Sequence, residues 1–175
     1  MTHDILVLAA IAWLRNAGRC RIVLSEMVAG TMQEIPDAIG WRLGFFSTLV
    51  ECKISRADLL RERHKRKAAL GGMGHYRYVL APTGLNVDGA LPRGWGLLRF
   101  DGRKARVAIA APERVYEGAE LQQRMRLEMP LLVSAVQRHE LGCRWDSRRA
   151  RFESFNTRKT REAIAARVES AAEAT

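Results

Sequence analysis

A chain of 175 residues is long enough for one domain with a real hydrophobic core. Its 47% hydrophobic and 27% charged residues exclude a disordered chain. The net charge is the unusual quantity: 29 lysines and arginines against 19 acids leave +10, which points to a polyanionic partner, nucleic acid before an anionic membrane surface.

The apolar run from Ile5 to Leu14 predicts a buried helix that starts near Thr2 or Asp4 and stops near Gly18. Ten residues are too few to cross a bilayer, and neither a basic n-region nor a small-residue cleavage site accompanies them, so no signal peptide is expected. Arg21 to Glu26 reads as a short strand, broken at Gly30. Asp37 to Leu43 and Ser47 to Ile54 read as two strands joined near Gly44 in an antiparallel hairpin. The period of two along the second strand puts Leu49, Glu51 and Lys53 on one face, with Val50, Cys52 and Ile54 on the other.

Ser55 stands three residues before Asp58, a helix-start signature, and the helix is expected to run to Leu70, where Gly71-Gly72 ends it. Strands are expected at Tyr76 to Ala81, Gly96 to Phe100 and, after the Asp101-Gly102 turn, Ala105 to Ala110. Beyond Pro112 the spacing from Glu120 to Leu141 is helical, with Pro130 expected at the first turn of a fresh helix. A basic loop from Arg144 to Arg151 and a last helix from about Thr160 to Glu173 complete the chain. This order predicts an α/β sandwich around a mixed sheet, with residues 1–111 as the core and 112–175 as a helical extension packed on it.

Cys20, Cys52 and Cys143 are odd in number, far apart and without a CxxC, so they suit a reducing cytoplasm rather than a disulfide framework or a zinc site. His64, His75 and His139 show no metal-ligand spacing, and Gly71-Gly72-Met73-Gly74 lacks the phosphate-loop pattern.

Chemistry is concentrated at Pro36-Asp37 and Glu51-Cys52-Lys53. Phosphodiester hydrolysis needs an attacking oxygen in line with the leaving group and neutralisation of charge at the phosphate. Mg²⁺ or Mn²⁺ on carboxylates supplies both. Asp37 and Glu51 would reach such an ion from adjacent strands, with the carbonyl of Cys52 as a third ligand. Lys53 would orient water or stabilise the transition state. Glu26 is a weaker, accessory candidate.

These residues resemble the PD-(D/E)XK, or restriction-endonuclease-like, nuclease superfamily. Pro36-Asp37 matches the PD element, Glu51-Cys52-Lys53 matches (D/E)XK, and the element order matches the common core. The stretch from Val50 to Asp58, with His75-Tyr76-Arg77-Tyr78, Leu91-Pro92 and Trp95-Gly96-Leu97-Leu98, is similar to small single-domain members from phages, prophages and bacterial DNA repair. The resemblance covers residues 3–111. It implies a three-layer α/β/α core and Mg²⁺-dependent DNA cleavage, with Asp37 and Glu51 as metal ligands and Lys53 as the catalytic lysine.

Nucleic-acid contacts are expected from Arg56, Arg61, Lys65, Arg66 and Lys67 on the helix after the motif, and from Arg148 and Arg149 beside Trp145 and Phe152. DNA is the first candidate and RNA the second, with no membrane partner; a homodimer would let two such sites cut both strands. The rival expectation is a catalytically inactive regulator on the same scaffold, for example a phage inhibitor that binds DNA or protein.

Overall fold

The computed structural model describes residues 1–27, 35–66, 72–143, 145–146, 148–149 and 151–152. Residues 62–66, 145 and 152 are described in backbone only. Helix α1 (His3–Arg15) precedes three strands, β1 (Ile22–Ser25), β2 (Ala38–Trp41) and β3 (Ser47–Cys52). Helix α2 (Arg56–Arg66) leads to β4 (Tyr76–Pro82), β5 (Gly96–Phe100) and β6 (Ala105–Ile109). Helix α3 (Gly118–Glu140) and the two-residue strands β7 (Trp145–Asp146) and β8 (Arg151–Phe152) follow. Gly30, Lys67, Leu70, Gly71 and the helix expected near residues 160–173 lie outside the described residues.

Strands β1 to β6 form one mixed sheet in sequential order. The pairs β1–β2, β2–β3 and β5–β6 are antiparallel, whereas β3–β4 and β4–β5 are parallel. A parallel neighbour needs a long crossover, and between β3 and β4 the connection contains α2. The fold is α/β, with the sheet held between helical layers.

Each face of the sheet buries its own apolar cluster. On one side α1 lays Leu6, Val7, Ala10, Ile11 and Leu14 on Val50, Cys52, Leu80 and Leu98. Those helical positions form one stripe, as an amphipathic helix requires. The other side joins Leu49, Val79 and Leu97 to Leu59 of α2 and Leu131 of α3. Successive β3 side chains therefore alternate between the layers, as the period of two predicts. At the start of α2, Ser55 Oγ accepts the Asp58 N–H at 3.2 Å, the expected capping bond.

Helix α3 differs from expectation. It continues through Pro130 without a fresh start. A proline inside a helix removes one main-chain hydrogen bond, and anchoring to the sheet on either side of residue 130 outweighs that loss. Leu131 is fully buried after the proline. Before it, Glu128 enters the interior and accepts hydrogen bonds from Trp41 Nε1 (3.0 Å), Ser47 Oγ (2.8 Å) and the Gly74 N–H (2.9 Å). Arg124, one turn earlier, pairs with it at 3.6 Å.

The Arg124 guanidinium also lies 3.0 and 3.2 Å from the two ring nitrogens of His75. The Ser47 N–H donates to His75 Nδ1 at 3.0 Å, which leaves the neutral ring's proton on Nε2. Burial, and then the Arg124 charge, lowers the His75 pKa below its ordinary value. The unfolded chain therefore binds more protons than the folded one just below pH 6.5. Stability is expected to be full above that pH and to fall as acid approaches the lowered pKa. Urea unfolding at pH 5.0, 6.0 and 7.5 checks this, and His75→Asn is expected to flatten the dependence; an equal slope in that variant would assign the effect to another group.

Candidate functional site

Asp37, Glu51 and Lys53 meet where β2 begins and β3 ends. Ala38 pairs with Val50, so residue 37 stands one step beyond the ladder, beside residues 51 and 52. Its carboxylate Oδ2 accepts the Cys52 N–H at 2.7 Å, a charge-assisted bond that fixes the acid on the neighbouring strand. His3 Nε2, at the start of α1, approaches the same oxygen at 3.4 Å. Lys53 Nζ lies 3.3 Å from Glu51 Oε2. Both side chains of that ion pair are buried, at 8% and 6% exposure, whereas Asp37 keeps 19%.

Cys52 contributes main chain only. Its side chain belongs to the α1 layer, and the thiol's pKa is driven well above the usual value by burial, then by Asp37 and Glu51. Lys53 opposes this and Glu26 adds to it. The sulfur stays protonated, so the donors available at this corner are carboxylate and carbonyl oxygens, with the His3 imidazole beside them. That set fits a hard divalent cation such as Mg²⁺ or Mn²⁺.

Glu26 follows β1 rather than lying within it, and its φ of 47° is left-handed, an unfavourable conformation for a residue with a Cβ. Its N–H donates to the carbonyls of Pro36 (3.2 Å) and Asp37 (3.3 Å), which ties it to the motif. His3, Asp4 and Glu26 also bring one ligand atom each within 4.8 Å of one another. In the sequence His3 carries no functional signal and Asp4 marks only a helix start; the seating of α1 across the sheet brings His3 to Asp37 and both residues to Glu26.

The expected nucleic-acid contacts divide. Arg56 is committed to the β4–β5 loop, with bonds to the carbonyls of Asn86 (3.2 Å) and Asp88 (2.9 Å), and so braces that loop. Arg61 is exposed and 3.8 Å from Asp58, a contact that contributes little. The side chains of Lys65 and Arg66, and all of Lys67, lie outside the described residues. Arg148 and Arg149 stand exposed in the β7–β8 turn, where their N–H groups donate to Asp146 Oδ1 at 2.9 and 3.2 Å. That segment reaches back to β1: the Arg149 carbonyl accepts the Ser25 hydroxyl, and Arg151 pairs with Glu26 at 3.2 Å.

A mixed six-stranded sheet with helical layers defines the class of protein as far as the fold carries it. No protein-family model matches the sequence, and no curated protein matches it. The chain is similar in fold to the SPO1766 protein of unknown function from Silicibacter pomeroyi, with a TM-score of 0.61 and 22% identity over 80% of this chain and 90% of that one. Among the described residues, no helix is long and apolar enough to cross a membrane.

Proposed function

We propose that this chain is a cytoplasmic nuclease of the PD-(D/E)XK plan that hydrolyses DNA phosphodiester bonds with Mg²⁺ or Mn²⁺, in bacterial or phage DNA processing or repair. The observation that carries the reading is the fixing of the Asp37 carboxylate on the Cys52 N–H, beside the Glu51–Lys53 pair. Asp37, Glu51 and the Cys52 carbonyl would hold the ion, with Glu26 as accessory acid. Bound there, the ion supplies charge neutralisation at the phosphate and activates the attacking water. Lys53 offers its ammonium to the negative charge that develops on the phosphate oxygens. The surplus of +10 draws the polyanion to the surface, with Arg61 and Arg148 among the exposed cations. A two-fold dimer would cut both strands.

The near-complete burial of Glu51 and Lys53 favours a second reading, a nuclease-fold regulator that binds DNA or protein and does not cut. Incubation with linear, branched and single-stranded DNA, and with RNA, separates the two. Cleavage is expected only with divalent metal, and Asp37→Ala is expected to bind DNA without cutting it. Wild-type protein that binds these substrates and cuts none of them would establish the regulator instead.

A further inference from the structure

At the other end of the sheet from Asp37, four arginines line one cavity. Strand β1 starts where β2 ends, with Ile22 opposite Trp41, so Arg21 and Arg42 flank the end remote from Ser25 and Ala38. Helix α1 runs between the two ends, and the twelve steps from His3 to Arg15 span about 18 Å. Arg15, Arg19, Arg21 and Arg42, with Cys20 and Leu43, line an open depression of about 470 Å³.

Among the described residues the lining contains no acid, and Arg19, Arg21 and Arg42 make no ion pair. Cys20 supplies no anion either, because burial pushes its thiol up to about 11 although Arg42 pulls it down. Gly40 lets that residue close the floor, since a Cβ there would lie 2.8 Å from Cys20 Sγ. The Arg42 guanidinium is held over the rings of Tyr76 (5.0 Å) and Phe46 (5.8 Å), and its Nε is buried with no hydrogen-bond partner among the described residues. Like charges gathered in this way repel unless an anion stands among them.

Beside the cavity the β2–β3 turn projects two apolar side chains into water. Leu43 is 78% exposed and Phe45 is 85% exposed, and Phe45 adopts a left-handed φ of 67°. An aromatic ring displayed on an unfavourable backbone, two residues from the cavity wall, is a surface suited to stacking. The cations in the wall are all arginines, whose planar fork matches phosphate oxygens in pairs, where lysine would supply only a point charge.

We propose that this cavity binds backbone phosphates of an unpaired nucleic-acid strand, with Phe45 stacked on one of its bases. The proposal goes beyond the metal site and does not depend on it. An apolar tip beside basic residues also suits an anionic lipid surface. The grouping of several arginines beside one exposed ring favours the strand, whose backbone offers successive phosphates and whose bases offer a face for Phe45.

The test uses the full chain in EDTA and a dye-labelled single-stranded oligonucleotide, with anisotropy measured over a range of salt. Arg19→Ala/Arg21→Ala is expected to weaken binding about tenfold or more, and to reduce the slope of log K against log salt by about 1.4, roughly 0.7 per phosphate contact. Phe45→Ala is expected to weaken binding about fivefold or more, the low end for loss of one stacked base, without moving the slope. Because Arg19 stands at positive φ, Arg21→Gln alone serves as a second variant should the double variant fail to fold. Wild-type affinity and slope in the folded arginine variants would overturn the proposal. So would strong binding of the wild type to phosphatidylserine vesicles, lost in these variants, with no binding of the oligonucleotide. No metal is present in this assay, so absent cleavage in the separate incubation with Mg²⁺ or Mn²⁺ would count against the nuclease reading and leave this result standing.

Discussion

Lys53→Ala is expected to abolish metal-dependent cleavage and also to destabilise the fold. The ammonium lies 3.3 Å from Glu51 Oε2, and both groups are almost wholly buried. Removing one partner of a buried ion pair costs about 3–5 kcal/mol. Loss of the amine from developing phosphate charge is expected to lower the cleavage rate at least about a hundredfold. One substitution cannot separate these effects, but a pair can. Glu51→Leu/Lys53→Met replaces two buried charges with apolar groups of similar volume, and such replacements are often neutral or stabilising. The double variant is therefore expected to regain most of the lost stability in urea titrations while remaining inactive. If it regained cleavage as well, neither residue would belong to the reaction.

Glu128→Ala is expected to cost about 4 kcal/mol or more. Its carboxylate satisfies three buried donors from three parts of the sheet layer: the Trp41 indole, the Ser47 hydroxyl and the Gly74 N–H. Each donor left without an acceptor costs about 1–3 kcal/mol, and Arg124 would lose its counter-charge as well. Against a total of about 5–15 kcal/mol for a typical domain, that is enough to unfold a marginal protein. Denaturant midpoints measure it, and a loss below about 1 kcal/mol would show that Glu128 is not the fastening of α3.

The alternation along β3 was legible because a strand buried on both faces can place Glu51 and Lys53 together only by skipping Cys52. Asp37 was legible from its proximity to Pro36 and from the hairpin that follows. The role of Glu128 was not read, although a signal existed. Arg124, Leu127, Glu128, Leu131 and Ala135 share one helical stripe, and an i,i+4 ion pair within an apolar stripe marks charges that go inside. Pro130 misled because proline usually punctuates helices, and only contacts with the sheet reveal that this helix survives it. The arginine cavity could not be read at all: residues 15, 19 and 21 lie together in the sequence, but residue 42 joins them only through strand pairing. The same holds for His3 and Asp4, which α1 delivers to the acid corner from the opposite layer.

The bond from Ser25 to the Arg149 carbonyl and the pair between Glu26 and Arg151 link positions 124 and 125 residues apart. The β7–β8 segment thus supplies a counterion to the acid that follows β1. A truncation after α3 would strip the positive charge of Arg151 from the acid corner without altering any residue in it. Protein shortened after α3 should for that reason be compared with the full chain before any difference in metal affinity is assigned to the corner itself.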